Sequence, residues 1–253
     1  MTLNKFKSLA IVVLLVTTAC GSKYTTIRQS PDYSQQKVKH SEIIILPTDA
    51  VVNTVDFSGS KERMYDYESH VEDLFSQSLT STLRKNGYTT TSLSKRDIHN
   101  KGISGQVLRV KQNYATIRDE LYKSNLMPEE QALSTSQNIG KPELNLKSGS
   151  KPTLLLLSDY VADVKTSGAR TKDVLVDALI GSRTASSADV GRFVVGIVDA
   201  NNGALLWSNT STDAKDAYIG AFERVHSSDH EIDKKRVNRL TENALNNLIQ
   251  EKE

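Results

Sequence analysis

The chain has 253 residues, of which 38% are hydrophobic and 25% charged, and its formal net charge is only +2. That length suits one sizeable domain. The near-neutral balance removes the electrostatic drive of a nucleic-acid binder or of a protein held on anionic lipid by charge. With Cys20 as the single cysteine, no intramolecular disulfide can form.

Residues 1–19, MTLNKFKSLAIVVLLVTTA, begin with Lys5 and Lys7, continue with an apolar run from Leu9 to Val16 and end in small residues. This is the layout of a secretory signal peptide. A membrane-spanning helix needs about 20 apolar residues, and this run is too short. Lys5 and Lys7 carry the whole net charge, so the chain without residues 1–19 is formally neutral.

The stretch Val16-Thr17-Thr18-Ala19-Cys20-Gly21 resembles the lipobox of bacterial lipoproteins. That resemblance implies cleavage before Cys20, a diacylglycerol on its thiol and an acyl chain, such as palmitate, on the new amino terminus. One myristoyl chain binds a membrane only marginally, whereas several chains anchor it firmly. Gly21, where retained lipoproteins carry Asp, implies an outer-membrane address facing the periplasm. Two alternatives stand beside lipidation: ordinary cleavage leaving a free thiol, and an apolar N-terminal strand with a buried cysteine. The flanking lysines and the polar GSKYTTIRQSPDYSQQKVKHS that follows favour lipidation. Residues 20–41 accordingly read as a lipidated cysteine with a flexible tether spanning roughly 25 Å, and residues 42–253 as a single periplasmic domain.

In that domain EIIILP predicts a buried strand stopped at Pro47. After a loop over Asp56 to Ser60, the positions Met64, Tyr67, Val71, Leu74, Phe75, Leu79 and Leu83 recur at helical spacing. Glu62 falls in the expected first turn, Arg84 and Lys85 in the last, and Asn86-Gly87 supplies the C-terminal cap. Tyr88 to Leu93 reads as a strand, completing a strand-helix-strand unit. A second amphipathic helix from about Gln106 to Ser124 carries Val107, Val110, Tyr114, Ile117 and Leu121.

MPEEQALS reads as a short helix with proline at its start. TLLLLSDYVADVKTSG predicts a long strand, and GRFVVGIVD and ALLWSNTST flank Asn201-Asn202-Gly203, a hairpin signal. The three form an antiparallel meander. The segment 169–190 between them is a long connection of the kind that is functional or disordered. A closing helix runs from Asp229 to about Glu251, with Val237, Leu240, Ala244, Leu245 and Leu248 on one face and Ser228 and Glu231 as a capping box. The fold class is therefore α/β (α+β): a mixed sheet with a strand-helix-strand start, an antiparallel meander and a C-terminal helix.

This order, with Asp199, Gly203 and Trp207 in an Asp-x-x-x-Gly-x-x-x-Trp pattern, resembles the periplasmic domain shared by the curli-secretion lipoproteins and the lipoprotein activators of penicillin-binding proteins. The resemblance implies a protein that binds or assembles with other envelope proteins. Its curli-secretion branch implies an oligomeric secretion channel, but a spanning strand needs about 9 to 11 alternating residues, and VLVDALIG within 169–190 is shorter.

Catalytic patterns are scarce. His226 and His230 are four apart, yet a cap at Ser228 leaves His226 outside the helix, so no metal site is expected. His40, His70 and His99 have no companions. No G-x-S-x-G elbow occurs, and GSRTASSADVG lacks the Gly-Lys-Ser/Thr of a phosphate-binding loop. Asp159 and Asp163 share one face of a strand, read as exposed and opposite Tyr160, Ala162 and Val164. Trp207 reads as a core anchor sharing a face with Leu205. The expectation is a lipid-anchored, non-catalytic binding or assembly module without cofactor, metal or nucleic acid, with a channel subunit and a periplasmic enzyme as alternatives.

Overall fold

The computed structural model describes residues 24–123, 130–133, 135–144, 146, 152–165, 190–212 and 230–249. In chain order the elements are β1 (Tyr24–Gln29), α1 (Gln35–His40), β2 (Glu42–Ile45), β3 (Asp49–Val55), β4 (Lys61–Arg63), α2 (Tyr65–Lys85) and β5 (Thr89–Ser92). They continue with α3 (Lys95–Asn100), α4 (Ser104–Leu121), β6 (Glu130–Ala132), β7 (Gln137–Asn138), β8 (Thr153–Lys165), β9 (Val190–Asp199), β10 (Ala204–Thr212) and α5 (His230–Ile249). The described strands form one mixed sheet with helices on both faces, the α/β class expected.

The long strand β8 is the axis of the sheet. On one side it pairs antiparallel with β9, which pairs antiparallel with β10 across a turn where Gly203 takes φ +77°. The meander is as expected. On its other side β8 carries two parallel strands end to end, β2 beside Thr153–Leu156 and β3 beside Asp159–Lys165.

The first strand stops before Pro47, as expected, at Ile45, and a second strand, β3, takes up the pairing with β8 from Asp49. Leu46 still donates its N–H to the Leu156 carbonyl (3.0 Å), but proline has no N–H to continue the ladder. The register shifts by one residue between Ile45, opposite Leu156, and Asp49, opposite Asp159. At this bulge the hydroxyls of Thr48 and Ser158 meet at 2.8 Å. The outer neighbours are β5, parallel to β2, and β4, antiparallel to β3. The expected strand-helix-strand unit is thus present, with a β3–β4 hairpin inserted before its helix.

The expected tether is folded from Tyr24 onward. Residues 24–29 form β1, antiparallel to β10, and α1 follows with Ser34 as its cap and Val38 buried. A strand whose partner lies at the far end of the chain leaves no local periodic signal, and Arg28 buried opposite Ile27 hides the alternation. For the same reason Glu130–Ala132, within the stretch expected to be a short helix, is a strand parallel to β1. Glu62 lies in β4, and α2 starts at Tyr65 with Asp66 and Glu68 in its first turn. The segment 169–189, Cys20, Ser228 and His226 lie outside the described residues.

Helices α2 and α5 cover one face, where Phe75 stacks on Phe193 at 4.1 Å and meets Tyr160 at 5.1 Å. Helices α3 and α4 cover part of the other, over Leu155, Leu157 and Val198. A bulge between Leu205 and Trp207 places these two residues in different cores. Trp207 is fully buried, as expected, but the extra residue Leu206 turns it to the α2–α5 side, away from Leu205.

Tyr114 of α4 packs directly on Gly196, where a Cβ would lie 2.5 Å from Tyr114 Cε2 and 2.6 Å from its hydroxyl. Gly196→Ala is expected to destabilise the fold by about 1–3 kcal/mol, the usual cost of overpacking. Tyr114→Leu in the same chain should offset part of that loss, and urea unfolding of the two single variants and the double variant checks it.

Candidate functional site

Four residues of α4 and its C-terminal cap, Lys111, Tyr114, Arg118 and Tyr122, lie three to four residues apart and so share one helix face. Each meets a polar group or backbone gap on the sheet. Lys111 Nζ is 2.6 Å from Asp49 Oδ1 at the start of β3. Arg118 is 2.7 Å from Asp159 Oδ2 on β8, and each of these side chains is only 14% exposed. Tyr114 fills the space over Gly196 of β9. Tyr122 donates to the Ser208 hydroxyl of β10 (2.9 Å), which donates in turn to the Val195 carbonyl (3.0 Å). The Arg28 guanidinium of β1 lies 5.6 Å from the Tyr122 ring centre, a cation–π distance.

Register explains why the cations are needed. Asp49 and Asp159 are direct neighbours in the parallel ladder of β3 and β8, and like charges side by side are destabilising. Burial pushes the Asp159 carboxyl above its ordinary range; Arg118 opposes that shift and Asp49 adds to it. Burial works against the Arg118 guanidinium, but Asp159 overcomes it and holds its pKa above the ordinary value. The Arg118–Asp159 contact has the distance of an ion pair but not the geometry of a hydrogen bond. Burial also raises the Tyr122 phenol to about 12 and the Tyr114 phenol well above its ordinary value, so both stay protonated, Tyr122 as the donor to Ser208. The arrangement is a polar seam fastening helix to sheet.

Two open clefts flank the helices. One of about 250 Å³ lies at the β2–β3 break, between Pro47 and Asp49 on the sheet, Lys95 and Ile98 on α3 and Leu108 and Lys111 on α4. The carboxyl ends of parallel strands are where open α/β sheets take ligands, but here Lys95 is engaged by Glu72 and Lys111 by Asp49. The other, about 680 Å³, runs between α2 and the outer strand β5. Ser76, Gln77, Thr80, Ser81 and Arg84 line it on one side, and Thr91 and Ser92 on the other. Arg84 is fixed there by bonds from Nε to the Thr90 hydroxyl (2.9 Å) and from its terminal nitrogen to the Thr90 carbonyl (3.0 Å).

Of the residues singled out from sequence, Tyr114 and Asp159 belong to the seam and the others fall elsewhere. Asp159 and Asp163 do share a face, but Asp159 is held under α4, while Asp163 accepts from Asn53 (3.0 Å) and pairs with Lys61 (2.6 Å). The exposed face expected for both is therefore wrong for Asp159. In the Asp199-Gly203-Trp207 pattern, Asp199 accepts from the Asn201 amide and pairs with Lys37 (3.5 Å), Gly203 turns the hairpin and Trp207 is core. Among the described residues, no three His, Cys, Asp or Glu side chains gather as a metal site would require. No described helix is long and apolar enough to cross a membrane. Sequence reasoning missed Asp49, Lys111, Arg118 and Arg28; the available signal was Lys111 and Arg118 flanking Tyr114 at helical spacing.

No protein-family model matches the chain, and no curated protein matches it. Two solved structures of the PelC dodecamer from Paraburkholderia phytofirmans are similar to it in part. One, a point variant, has 9% identity, covers 91% of this chain and 100% of that one, and has a TM-score of 0.34. The other has 10% identity, covers 90% and 99%, and has the same TM-score. Neither shows the curli-secretion or penicillin-binding-protein-activator resemblance drawn from the sequence.

Proposed function

We propose that the chain is a cell-envelope lipoprotein, anchored through Cys20 in the outer membrane and facing the periplasm. Its α/β domain acts as a non-catalytic binding or assembly module for another envelope protein. The groove between α2 and β5 carries this reading. It is open, every residue that lines it carries a hydroxyl, amide or guanidinium group, and one of its walls is an outer strand that, among the described strands, pairs only with β2. Such a surface recognises a partner by hydrogen bonds, and an outer strand is a common site for a partner's chain to add. The seam under α4 supports the same reading, since each of its carboxylates is matched with a cation.

The binding claim is tested by a photo-crosslinking residue placed at Gln77 in intact cells, with a second at exposed Arg109 on α4 as control. The expected result is a discrete adduct from Gln77 alone that Thr80→Trp reduces at least tenfold. Equal labelling from both positions, or none from Gln77, would overturn the groove. For the anchor, mass spectrometry of the mature amino terminus is expected to find acylated Cys20; a free thiol there defeats that part.

If the seam is a fastening, Arg118→Met should leave the Gln77 adduct unchanged while costing about 3 kcal/mol of stability near pH 7, the scale for a buried charge left alone. The sign of the pH dependence follows from Asp159. Its folded pKa lies above its unfolded one, so its contribution to stability is complete below the ordinary carboxylate range and is lost as pH rises through the raised folded value. Urea unfolding across pH 4 to 8 is expected to show a steeper decline for Arg118→Met than for the unchanged chain, and no such steepening when Asp159→Asn is added.

A further inference from the structure

One end of the sheet gathers features that neither the seam nor the groove uses. Strand β1 begins there, with Tyr24 opposite Thr212 at the end of β10. Strand β8 ends there at Lys165, opposite Val55, the last residue of β3. The turn joining β3 to β4 therefore stands at the same end of the sheet as the point where the N-terminal segment joins the fold.

That turn is built to hold one side chain outward. Asp56 Oδ1 accepts from the Ser58 amide (2.8 Å), the Ser60 amide (2.9 Å) and the Ser58 hydroxyl (2.6 Å), and the Asp56 amide donates to the Ser60 carbonyl (3.0 Å). Gly59 takes φ +88°, a conformation that favours glycine. Within this clasp Phe57 is 60% exposed. Past β4, at the start of α2, Tyr65 is 68% exposed, under the Arg63 guanidinium at 4.8 Å. Val161, also exposed, lies on the half of β8 that runs toward this end. Of the four exposed large hydrophobic residues described, Phe57 alone stands in the turn at this end; Tyr65 and Val161 lie further back along the sheet, and Leu108 is on α4.

Chain length makes the placement matter. A tether of 21 residues would let the domain stand away from a membrane, but β1 starts at Tyr24. Three residues separate Cys20 from Tyr24, so the two lie at most about 14 Å apart even when the chain is fully extended. An acylated Cys20 sits at the level of the lipid headgroups, so this end of the sheet is held against them. The opposite end, at the β9–β10 turn, stands about 40 Å away, the rise of a thirteen-residue strand.

Resting on the lipid-anchor reading, we propose that this end of the sheet is the membrane-facing surface, and that the β3–β4 turn lays Phe57 into the headgroup–acyl boundary of a phospholipid bilayer. Aromatic side chains favour that boundary. The nearby cations Lys61 and Arg63 already pair with Asp163 and Glu68, so the contact rests on the apolar ring and not on anionic lipid. The acyl chains supply the affinity; Phe57 sets the orientation.

The full acylated chain, reconstituted in phosphatidylcholine vesicles with or without brominated acyl chains, tests this. Two variants are compared, Phe57→Trp and Asn201→Trp, the latter at the exposed tip of the β9–β10 turn; buried Trp207 gives the background in both. Bromine is expected to quench the introduced indole at least twofold in Phe57→Trp, equally at low and high salt, and to leave Asn201→Trp at the level of the unsubstituted chain. If the protein floats with the vesicles but Phe57→Trp is not quenched, or both variants are quenched alike, the orientation is wrong and the anchor stands. If the protein does not float with the vesicles, the anchor reading fails and the orientation falls with it.

Discussion

The architecture depends on the ladder along β8. This strand is long enough to carry two successive parallel partners on one edge and a single antiparallel partner on the other. Everything near the seam follows from how those two partners join. Pro47 interrupts the hydrogen bonding, one residue is gained, and the register after the break sets Asp49 beside Asp159. A one-residue difference in a strand moves every following side chain to the other face. Without the bulge, Asp49 would point toward the apolar side where Ala50 and Val52 now pack.

Two adjacent carboxylates under a helix are costly unless cations meet them, and α4 supplies both. Lys111 and Arg118 are seven residues apart, two helical turns, so one face reaches both acids while Tyr114 between them packs on Gly196. The pairing is specific rather than strongly stabilising. Buried ion pairs often return little more than the cost of removing their charges from water, yet losing one partner is severe. The seam thus fixes where α4 lies on the sheet, while the apolar contacts of Val107, Val110, Ile117 and Leu121 hold it down.

The legible parts of this fold were those with local signals. Helix α2 announced itself through seven apolar positions at helical spacing and a glycine just past its end, β8 through TLLLLSDYVADV, and the β9–β10 hairpin through Asn-Asn-Gly. Hidden parts were those that exist through distant partners. Strand β1 is held by β10, and β6 by β1, so neither needs an amphipathic pattern of its own. Helix α3 is only six residues long, and its Ser94–Asp97 capping box was the one available cue. The seam was hidden for a related reason. Arg28, Asp49, Lys111 and Arg118 look like ordinary surface charges until β1, β3, β8 and α4 are assembled, and Trp207 changed faces because a bulge cannot be read from alternation alone.

Folding of the N-terminal segment changes what an anchor on Cys20 would do. A long tether localises a domain but leaves its orientation free; a link of three residues couples the lipid to the direction of β1, and through β10 and β9 to the whole sheet. The domain then has a near half and a far half along β8. Strands β3 and β4 and the clasped turn belong to the near half, β2 and β5 with the hydroxyl-lined groove belong to the far half, and the α4 seam lies at the boundary where one strand gives way to the next. Binding in the groove and seating on the membrane would therefore use opposite ends of one rigid ladder. A partner could be engaged on the far side without lifting the domain from the lipid.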